Sequence, residues 1–309
     1  MDTRNFPHSS FSFSVSPQQL ALRMGRADAP ILLDVRREAT FSESRHLIAG
    51  ARRCAPQDVA AFAATQFAVD PAREIVVYCV YGHNVSEEAV AGLRAAGLEA
   101  HKLAGGIEGG QEGVDTPENR AIWRANALPT ILKRADWGVT GEQPSRWITR
   151  ARPKIDRIAC PWLIRRFIDA RATFFYVPTA QVLAEAERLG AVAFDIPGAP
   201  VSHEGELCSF DVLLAAFGLH DAALGRLARI VRGADTDRLD LAPESAGLLA
   251  LSLGLSELHS DDDHAMLDAA MPLYDALYAW CKTVVSAAVQ GQPAETHNWN
   301  PAAMTGPKA

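Results

Sequence analysis

Apolar runs of strand length alternate with helix-forming segments in the first third of the chain. The apolar runs are residues 31–35, 74–78 and 98–103. The segments that favour helices are residues 18–26, 58–67 and 86–96. Ser16 is suited to cap the first helix, with Pro17 at the first helical position. Because buried strands that alternate with helices form parallel sheets, we expect an α/β domain with helices on both faces of a parallel sheet.

After Arg146 the apolar positions recur every three or four residues, which is the helical period. The predicted helices are residues 179–189, 219–232, 243–253 and 261–288. Only residues 174–177 and 192–196 have the pattern of strands. The run Asp261–Asp263 is expected to cap the last helix with negative charge at its positive end. The second half of the chain is therefore predicted to be mostly α-helical.

These changes of pattern predict two domains, a linker and a tail. The α/β domain covers residues 13–112, and the mostly helical domain covers residues 146–288. Residues 113–145 are expected to form a partly helical linker, with two helix-capable pieces on either side of Pro129. Residues 289–309 are polar with scattered proline and glycine, so we expect a disordered tail.

Composition narrows the class of protein. Of the 309 residues 48% are apolar, enough to bury a core, and no apolar run approaches the ~18 residues of a membrane span. The first fifteen residues contain no continuous hydrophobic segment, which argues against a secretory signal. Five cysteines without a CxxC spacing argue against a disulfide framework and for the cytoplasm. A net charge of −7 argues against a nucleic-acid partner.

The charge is unevenly distributed along the second half of the chain. Residues 146–171 contain eight basic and two acidic side chains, whereas residues 195–275 contain four basic and fifteen acidic ones. This asymmetry indicates either that the two segments pair with each other or that the basic segment forms a site for an anion.

The segment around Cys79 has the most informative chemistry in the first domain. Cys79 leaves the end of a predicted buried strand, and a short loop then turns directly into a helix. Such a loop directs several N–H groups and the positive end of the helix at one point beyond the strand. A thiolate there is stabilised, so we expect Cys79 to be ionised and nucleophilic. The alternative is that Cys79 is a small buried hydrophobe that ends a core strand.

Residues 13–112 also resemble a rhodanese (sulfurtransferase) domain. The matching pieces, in order, are Leu33–Arg36 with Phe41, Arg45–Ala51, the Cys79 loop with Gly82, Leu93–Gly97 and Leu103–Ile107. The order and spacing of these pieces over about a hundred residues are typical of that family.

The resemblance implies that Cys79 is the sulfur-carrying residue, which cycles between thiolate and persulfide. It implies that the transferred anion is cradled by the amides of Gly82, His83, Asn84, Val85 and Ser86. Asp34 and Arg36 would be mainly structural. Sulfur transfer of this kind requires no cofactor, and the acceptor is a small-molecule or protein thiol.

Two positions depart from the family pattern. The loop contains no Arg or Lys, which thiosulfate-using members usually place there, so only His83 can become cationic. Arg45 replaces the glycine that is common before His46. Both departures argue against thiosulfate as the physiological donor. A catalytically silent rhodanese module used for docking stays open as the alternative.

The basic segment 146–171 offers a candidate anion site. Cys160-Pro161 fits a helix start with proline at the first helical position. A helix N-terminus beside guanidinium groups suits a tetrahedral dianion such as sulfate or chromate. The candidate oxyanion-binding residues are Arg157, Arg165 and Arg166. The alternative is that these side chains pair with the acidic segment 195–275 and hold the domain together.

The segment 202–211 groups side chains that are suitable ligands for zinc or iron. The candidate metal ligands are His203, Cys208 and Asp211. They lack a standard ligand spacing, and Ser209 or Asp211 could instead cap the following helix. Redox chemistry at Cys160 or Cys208 is a further possibility.

Residues 146–285 resemble the C-terminal domain of chromate-resistance proteins of the ChrB type. The resemblance rests on the long run 146–169 and on 194–196, 203–211, 230–235 and 274–278. It implies a role in tolerance of, or response to, chromate. In full-length regulators of that type a DNA-associated region precedes this domain, but here the rhodanese-like domain takes its place, so transcriptional control is not implied.

Together these features predict a cytoplasmic sulfurtransferase-like protein that carries sulfane sulfur on Cys79. Its second domain would bind an oxyanion or a metal ion. The alternative, from a different functional class, is a non-catalytic chromate or oxyanion sensor with a silent rhodanese domain.

Overall fold

The computed structural model describes residues 13–292. The strands of the N-terminal part are β1 (Ser14–Val15), β2 (Ile31–Asp34), β3 (His46–Ile48), β4 (Arg52–Arg53), β5 (Ile75–Tyr78) and β6 (Ala100–Leu103). Its helices are α1 (Pro17–Ala21), α2 (Glu38–Glu43), α3 (Val59–Val69) and α4 (Asn84–Ala95), with a 3-10 turn at Pro56–Asp58. Ser16 caps α1 in a reciprocal pair of hydrogen bonds with Gln19, as predicted.

The N-terminal sheet has five strands, all parallel, in the order β1-β6-β5-β2-β4. Side chains of β5 alternate between its two faces. Ile75 and Val77 share a core with residues of α3 and α4, and Cys79 continues this face. The prediction of an α/β domain built on a parallel sheet is confirmed.

The opposite face of the sheet belongs to a different core that reaches into the second half of the chain. Val76 and Tyr78 share this core with Trp162 and Phe167. The N–H of Gly50 donates to the carbonyl oxygen of Phe167 at 2.7 Å. The C-terminal part is thus one of the layers that cover the N-terminal sheet.

The linker contributes both a helix and a strand. Helix α5 (Pro117–Ala125) has Thr116 as its N-cap, and strand β7 (Thr130–Leu132) pairs antiparallel with β3. The prediction of a second helical piece after Pro129 is wrong. The free backbone groups of β3 offer an edge that a short apolar segment can pair with, and this pairing outweighs the helical propensity.

The C-terminal part is mostly helical, as predicted, and it also contains a small parallel sheet. Its strands, in the order β10-β8-β9, are β8 (Arg146–Arg150), β9 (Thr173–Val177) and β10 (Val192–Ala193). Its helices are α6 (Asp156–Leu163), α7 (Val182–Leu189), α8 (Ser209–Phe217), α9 (Ala222–Asp235), α10 (Ser245–Leu258) and α11 (Asp263–Val289). A π-helical turn, Ile164–Ile168, continues α6, and 3-10 turns lie at Ala135–Trp137, Thr179–Gln181 and Leu239–Leu241. Strand β8 was missed because basic residues flank its buried centre.

Two helix starts in the C-terminal part test the capping predictions. The expected start at Cys160-Pro161 is wrong, because α6 begins at Asp156 and Pro161 lies inside it. The π-helical turn that follows changes the hydrogen-bond ladder just beyond this proline, which cannot donate to it. By contrast, Asp262 accepts hydrogen bonds from the N–H groups of His264 and Ala265, so the acidic cap of α11 is confirmed.

The predicted tail falls mainly outside the described residues, since 293–309 are not among them and α11 extends to Val289. Within residues 13–292, no helix combines the length and apolar character needed to cross a membrane.

Candidate functional site

Cys79 stands at the carboxyl end of β5, and residues 80–83 form the loop that leads into α4. Among the described residues, no protein group accepts a hydrogen bond from the six amide N–H groups of residues 80–85. The N–H of Ser86 differs, because it donates to the carbonyl oxygen of His83 at 2.8 Å. The loop therefore supplies a run of unused donors next to a thiol.

The loop is held by the segment that follows β6. The N–H groups of Ile107 and Glu108 donate to the carbonyl oxygens of Cys79 and Val80 at 3.1 and 3.0 Å. Because the C=O and N–H of a trans peptide point in opposite directions, the amides of residues 80 and 81 point away from this segment. The contact is backbone against backbone, since a Cβ added at Gly106 would lie 2.5 Å from both carbonyl oxygens.

The thiol itself is nearly enclosed. Cys79 is 7% exposed and shares the core of the α3/α4 face with Val35, while Val85 of α4 packs against that core. The hydroxyl of Ser86 is fully buried on the same helix without a hydrogen-bond partner in the described chain. The Cys79 side chain therefore presents little of its surface to solvent.

The loop has little positive charge. Nε2 of His83 lies 2.8 Å from Oδ2 of Asp115, which also accepts the N–H of Gln111 at 2.7 Å. Asp115 comes from the linker and was not among the predicted site residues, because no local pattern relates it to a residue 32 positions away.

Asp34 and Arg36 form a buried network behind the site. Their side chains are 0% and 2% exposed and form an ion pair, and the hydroxyl of Tyr78 donates to Asp34 at 3.0 Å. The same hydroxyl accepts the N–H of Ile48 at 3.3 Å. This network joins β2, β3 and β5, which is a structural role.

The other four cysteines are poor nucleophiles. Burial raises the pKa of Cys54 to about 11 and that of Cys281 to about 11. Burial also raises the pKa of Cys160 and Cys208 above the ordinary thiol range, with the charge of Asp156 as the next cause.

The three candidate oxyanion-binding arginines each pair with a carboxylate from the acidic segment. Arg157 Nε lies 3.3 Å from Asp195, and Arg165 lies 3.1 Å from Asp268. Arg166 forms a bidentate pair with Asp275 at 2.8 and 2.9 Å. Pairing between the basic and acidic segments, the simpler of the two alternatives, is therefore present.

Arg165 and Arg166 also face a cavity between the two parts of the chain. It has a volume of about 290 Å³ and is lined by one carboxylate, Asp169, and by Arg26, Arg52, Arg73, Arg165, Arg166 and Arg171. Nε of Arg52 is buried without a hydrogen-bond partner in the described part of the chain. Burial, reinforced by the neighbouring charge of Arg171, lowers the pKa of Arg52 to about 10.

A second cluster of titratable groups lies in the C-terminal part. We call it the Asp–His cluster; its members are Asp156, Asp195, His203 and Asp235. One possible ligand atom from each member lies within 4.8 Å of the other three. Burial raises the pKa of Asp156 and of Asp235, and repulsion between the carboxylates adds to both shifts.

The other two candidate metal ligands, Cys208 and Asp211, are not members of this cluster. The N–H of Cys208 donates to Asp211 at 3.1 Å and its thiol at 3.3 Å, so Asp211 caps α8. Arg232 lies 3.3 Å from the same carboxylate. The structure thus places His203 with three carboxylates, Asp156, Asp195 and Asp235, none of which was predicted as a ligand. Asp195 lies two residues after the end of β10, a position near a strand end that could have pointed to it.

Comparison with known proteins supports both resemblances. Residues 16–112 match the family model described as rhodanese-like domain, and residues 147–281 match that of ChrB, C-terminal domain. Protein ChrB from Cupriavidus metallidurans is 38% identical over 151 residues, 46% of this chain and 45% of that protein. The matched region thus spans less than half of this relative.

Two solved structures are similar to the N-terminal part. A full-length protein from Lactobacillus plantarum is 28% identical, with coverage of 39% of this chain and 88% of that one and a TM-score of 0.30. A rhodanese_3-like domain from Anabaena sp. is 29% identical, with coverage of 33% and 98% and a TM-score of 0.25.

Proposed function

We propose that this chain, a rhodanese-like domain joined to a ChrB C-terminal domain, carries sulfane sulfur as a persulfide on Cys79 in a chromate-resistance response. The observation that carries the proposal is the run of six unused N–H groups at residues 80–85, beside Cys79 at the carboxyl end of β5. Such a run stabilises an anion without any cationic side chain.

The transfer has two balanced steps. The Cys79 thiolate attacks the outer sulfur of a donor persulfide, the donor S–S bond breaks, and the donor leaves as a thiolate. The new Cys79 persulfide anion accepts hydrogen bonds from the loop amides. An acceptor thiolate then attacks the outer sulfur, which forms the acceptor persulfide and returns Cys79 to its thiolate. No redox cofactor is needed, because electrons are only redistributed between sulfur atoms.

Mass spectrometry of the intact chain tests this proposal. After treatment with a small-molecule persulfide, we expect one adduct of about +32 Da, the mass of one sulfur, on Cys79. Cys79→Ser should abolish it, and Cys54→Ser, which removes another thiol of the same core, should leave it unchanged. An unmodified Cys79 in a folded chain would overturn the proposal and favour the silent docking module.

The Arg-lined cavity supports a second candidate function, recognition of a small oxyanion by the C-terminal part together with the N-terminal sheet. Six arginines and one aspartate line it; Arg26, Arg165, Arg166 and Arg171 pair with carboxylates, whereas Nε of Arg52 has no protein partner in the described residues. Calorimetric titration with sulfate and molybdate tests it. Arg52→Gln should weaken binding several-fold, and Arg188→Gln on exposed α7 should not. Equal affinities would exclude the cavity as the site.

A further inference from the structure

The Asp–His cluster collects one side chain from each of four places in the C-terminal part. Asp156 is the first residue of α6, Asp195 follows β10, His203 lies in the segment before α8, and Asp235 is the last residue of α9. His203 Nε2 lies 3.0 Å from Asp235, 3.4 Å from Asp195 and 3.6 Å from Asp156.

These separations match those of ligands around one metal ion. Bonds of about 2.1 Å at tetrahedral or octahedral angles put neighbouring ligand atoms roughly 3.0–3.5 Å apart. The side chains therefore need only small rotations to share a cation.

The carboxylate of Asp156 provides an independent observation. Its side chain is 0% exposed, and Oδ1 is buried without a hydrogen-bond partner in the described chain. Arg150 and Arg157 contact Asp195, at 3.4 and 3.3 Å, but neither forms an ion pair with Asp156. A buried carboxyl oxygen without a partner is costly, and a cation shared with the two neighbouring carboxylates would remove that cost.

Hydrogen bonds from Ser209 also hold two carboxylates of the cluster in place. The N–H of Ser209 donates to Oδ2 of Asp156 at 2.5 Å, and its hydroxyl donates to Oδ1 of Asp195 at 3.0 Å. Hydrogen bonds of this kind orient the carboxylate ligands of metal sites. His203 is the exposed member, at 40%, so a cation can reach the cluster from solvent and keep a water ligand.

We propose that the Asp–His cluster binds one divalent first-row cation, with Mn²⁺ or Fe²⁺ as the best match. Three carboxylates favour a hard cation, and one imidazole favours a transition metal over Mg²⁺ or Ca²⁺. The thiol of Cys208 is not part of the group of mutually close ligand atoms, and it donates to Asp211 instead. The bound cation joins α6, α9 and the end of β10, and it leaves at least one coordination position open on the His203 side.

Titration of the metal-stripped full chain with Mn²⁺, followed by electron paramagnetic resonance, tests the proposal. We expect one bound Mn²⁺ per chain, displaced by Fe²⁺ under anaerobic conditions and not by Mg²⁺ at equal concentration. His203→Gln and Asp235→Asn should each weaken binding at least tenfold. His203 is half-exposed, so its variant should fold. Glu99→Gln, which removes a carboxylate from a second His/carboxylate group near His101, should bind as the unchanged chain does.

A stability measurement gives a second test, in case a variant binds Mn²⁺ weakly only because its fold has changed. Mn²⁺ should raise the melting temperature of the stripped chain, and Asp156→Asn should abolish this rise while leaving the stripped chain at least as stable. Unchanged Mn²⁺ affinity in both His203→Gln and Asp235→Asn, or no Mn²⁺ bound at all, would overturn the proposal. Cys79→Ser should bind Mn²⁺ normally, so the outcome is independent of the proposed sulfur transfer.

Discussion

His83, the one imidazole in the Cys79 loop, has its Nε2 atom 2.8 Å from Oδ2 of Asp115 in the linker. Its positive charge, when present, is therefore offset by a carboxylate before any substrate arrives. A monoanionic persulfide tolerates this arrangement better than the thiosulfate dianion does, because the loop amides supply only partial charges.

Asp115→Asn should therefore improve the use of thiosulfate. We expect the KM for thiosulfate to fall several-fold with a smaller change in kcat, since the variant removes one negative charge beside the loop. Glu118→Gln, which removes an exposed carboxylate from the nearby α5, is the matched control. Steady-state assays at low salt would show the difference, and an unchanged KM would argue against charge as the cause.

Because the Cys79 loop packs closely against Gly106, a side chain added at residue 106 should destabilise the fold more than one added at an open glycine. Gly106 has φ +58, and an added Cβ would meet three backbone atoms, two carbonyl oxygens at 2.5 Å and the Gly82 nitrogen at 2.6 Å. Gly138 has φ +67 with nothing within 4 Å, so Gly138→Ala should cost only the left-handed backbone strain, about 1–2 kcal/mol.

Gly106→Ala should lower the free energy of unfolding by roughly 1–3 kcal/mol more than Gly138→Ala does, which is the range for overpacking. Urea unfolding measures both. Equal losses would mean that the loop can move away from the segment after β6.

Thiol labelling should distinguish Cys79 from the other four cysteines. Their raised pKa values, about 11 for Cys54 and Cys281, keep them protonated at pH 8. Iodoacetamide should thus modify native protein first at Cys79 and all five cysteines in urea, as peptide mass spectrometry would show. Faster labelling of Cys54 would count against an activated Cys79.

Glu74 should contribute stability that depends on pH. The bidentate hydrogen bonds from Arg23, at 2.9 and 2.6 Å, hold the pKa of Glu74 below its usual range. A carboxyl whose pKa is lowered in the folded state stabilises the fold above its unfolded pKa of about 4.3, and this contribution is lost as pH falls through the lower folded value.

Glu74→Gln should therefore lower the free energy of unfolding by roughly 1 kcal/mol at pH 7 and by less as pH drops below about 4. Exposed Glu88→Gln on α4 is the control. If the loss of free energy of unfolding does not change with pH, the substitution removes packing contacts rather than a charge interaction.

The shared core predicts that both halves of the chain unfold together. Val76 and Tyr78 lie in the same core as Trp162 and Phe167, so neither half can unfold without exposing apolar surface of the other. Residues 13–112 contain no tryptophan, but Trp123 of the linker packs against Gly105. In a Trp123→Phe variant, fluorescence therefore reports the C-terminal part, and hydrogen exchange of β5 amides reports the sheet. The two midpoints should coincide, and separate midpoints would contradict a common core.

The sequence by itself determined the features that depend on neighbouring residues. The parallel strands, Cys79 at the end of β5, the Ser16 cap and the acidic cap of α11 follow from local apolar period and capping chemistry, which act over a few residues. The second piece of the linker and the start of α6 could not be obtained in this way. In both places tertiary partners, the edge of β3 and the groups around Asp156, outweigh local preference.

Only the tertiary structure decided which distant side chains meet. Asp156 and Asp235 are separated by 79 positions, and nothing in the sequence relates them until α6 and α9 pack together. The same holds for Asp115 beside His83 and for the arginines around the cavity. Periodicity shows which face of a helix or strand is buried. A site depends instead on which elements pack against each other, because this packing brings charged groups that are far apart along the chain within bonding distance.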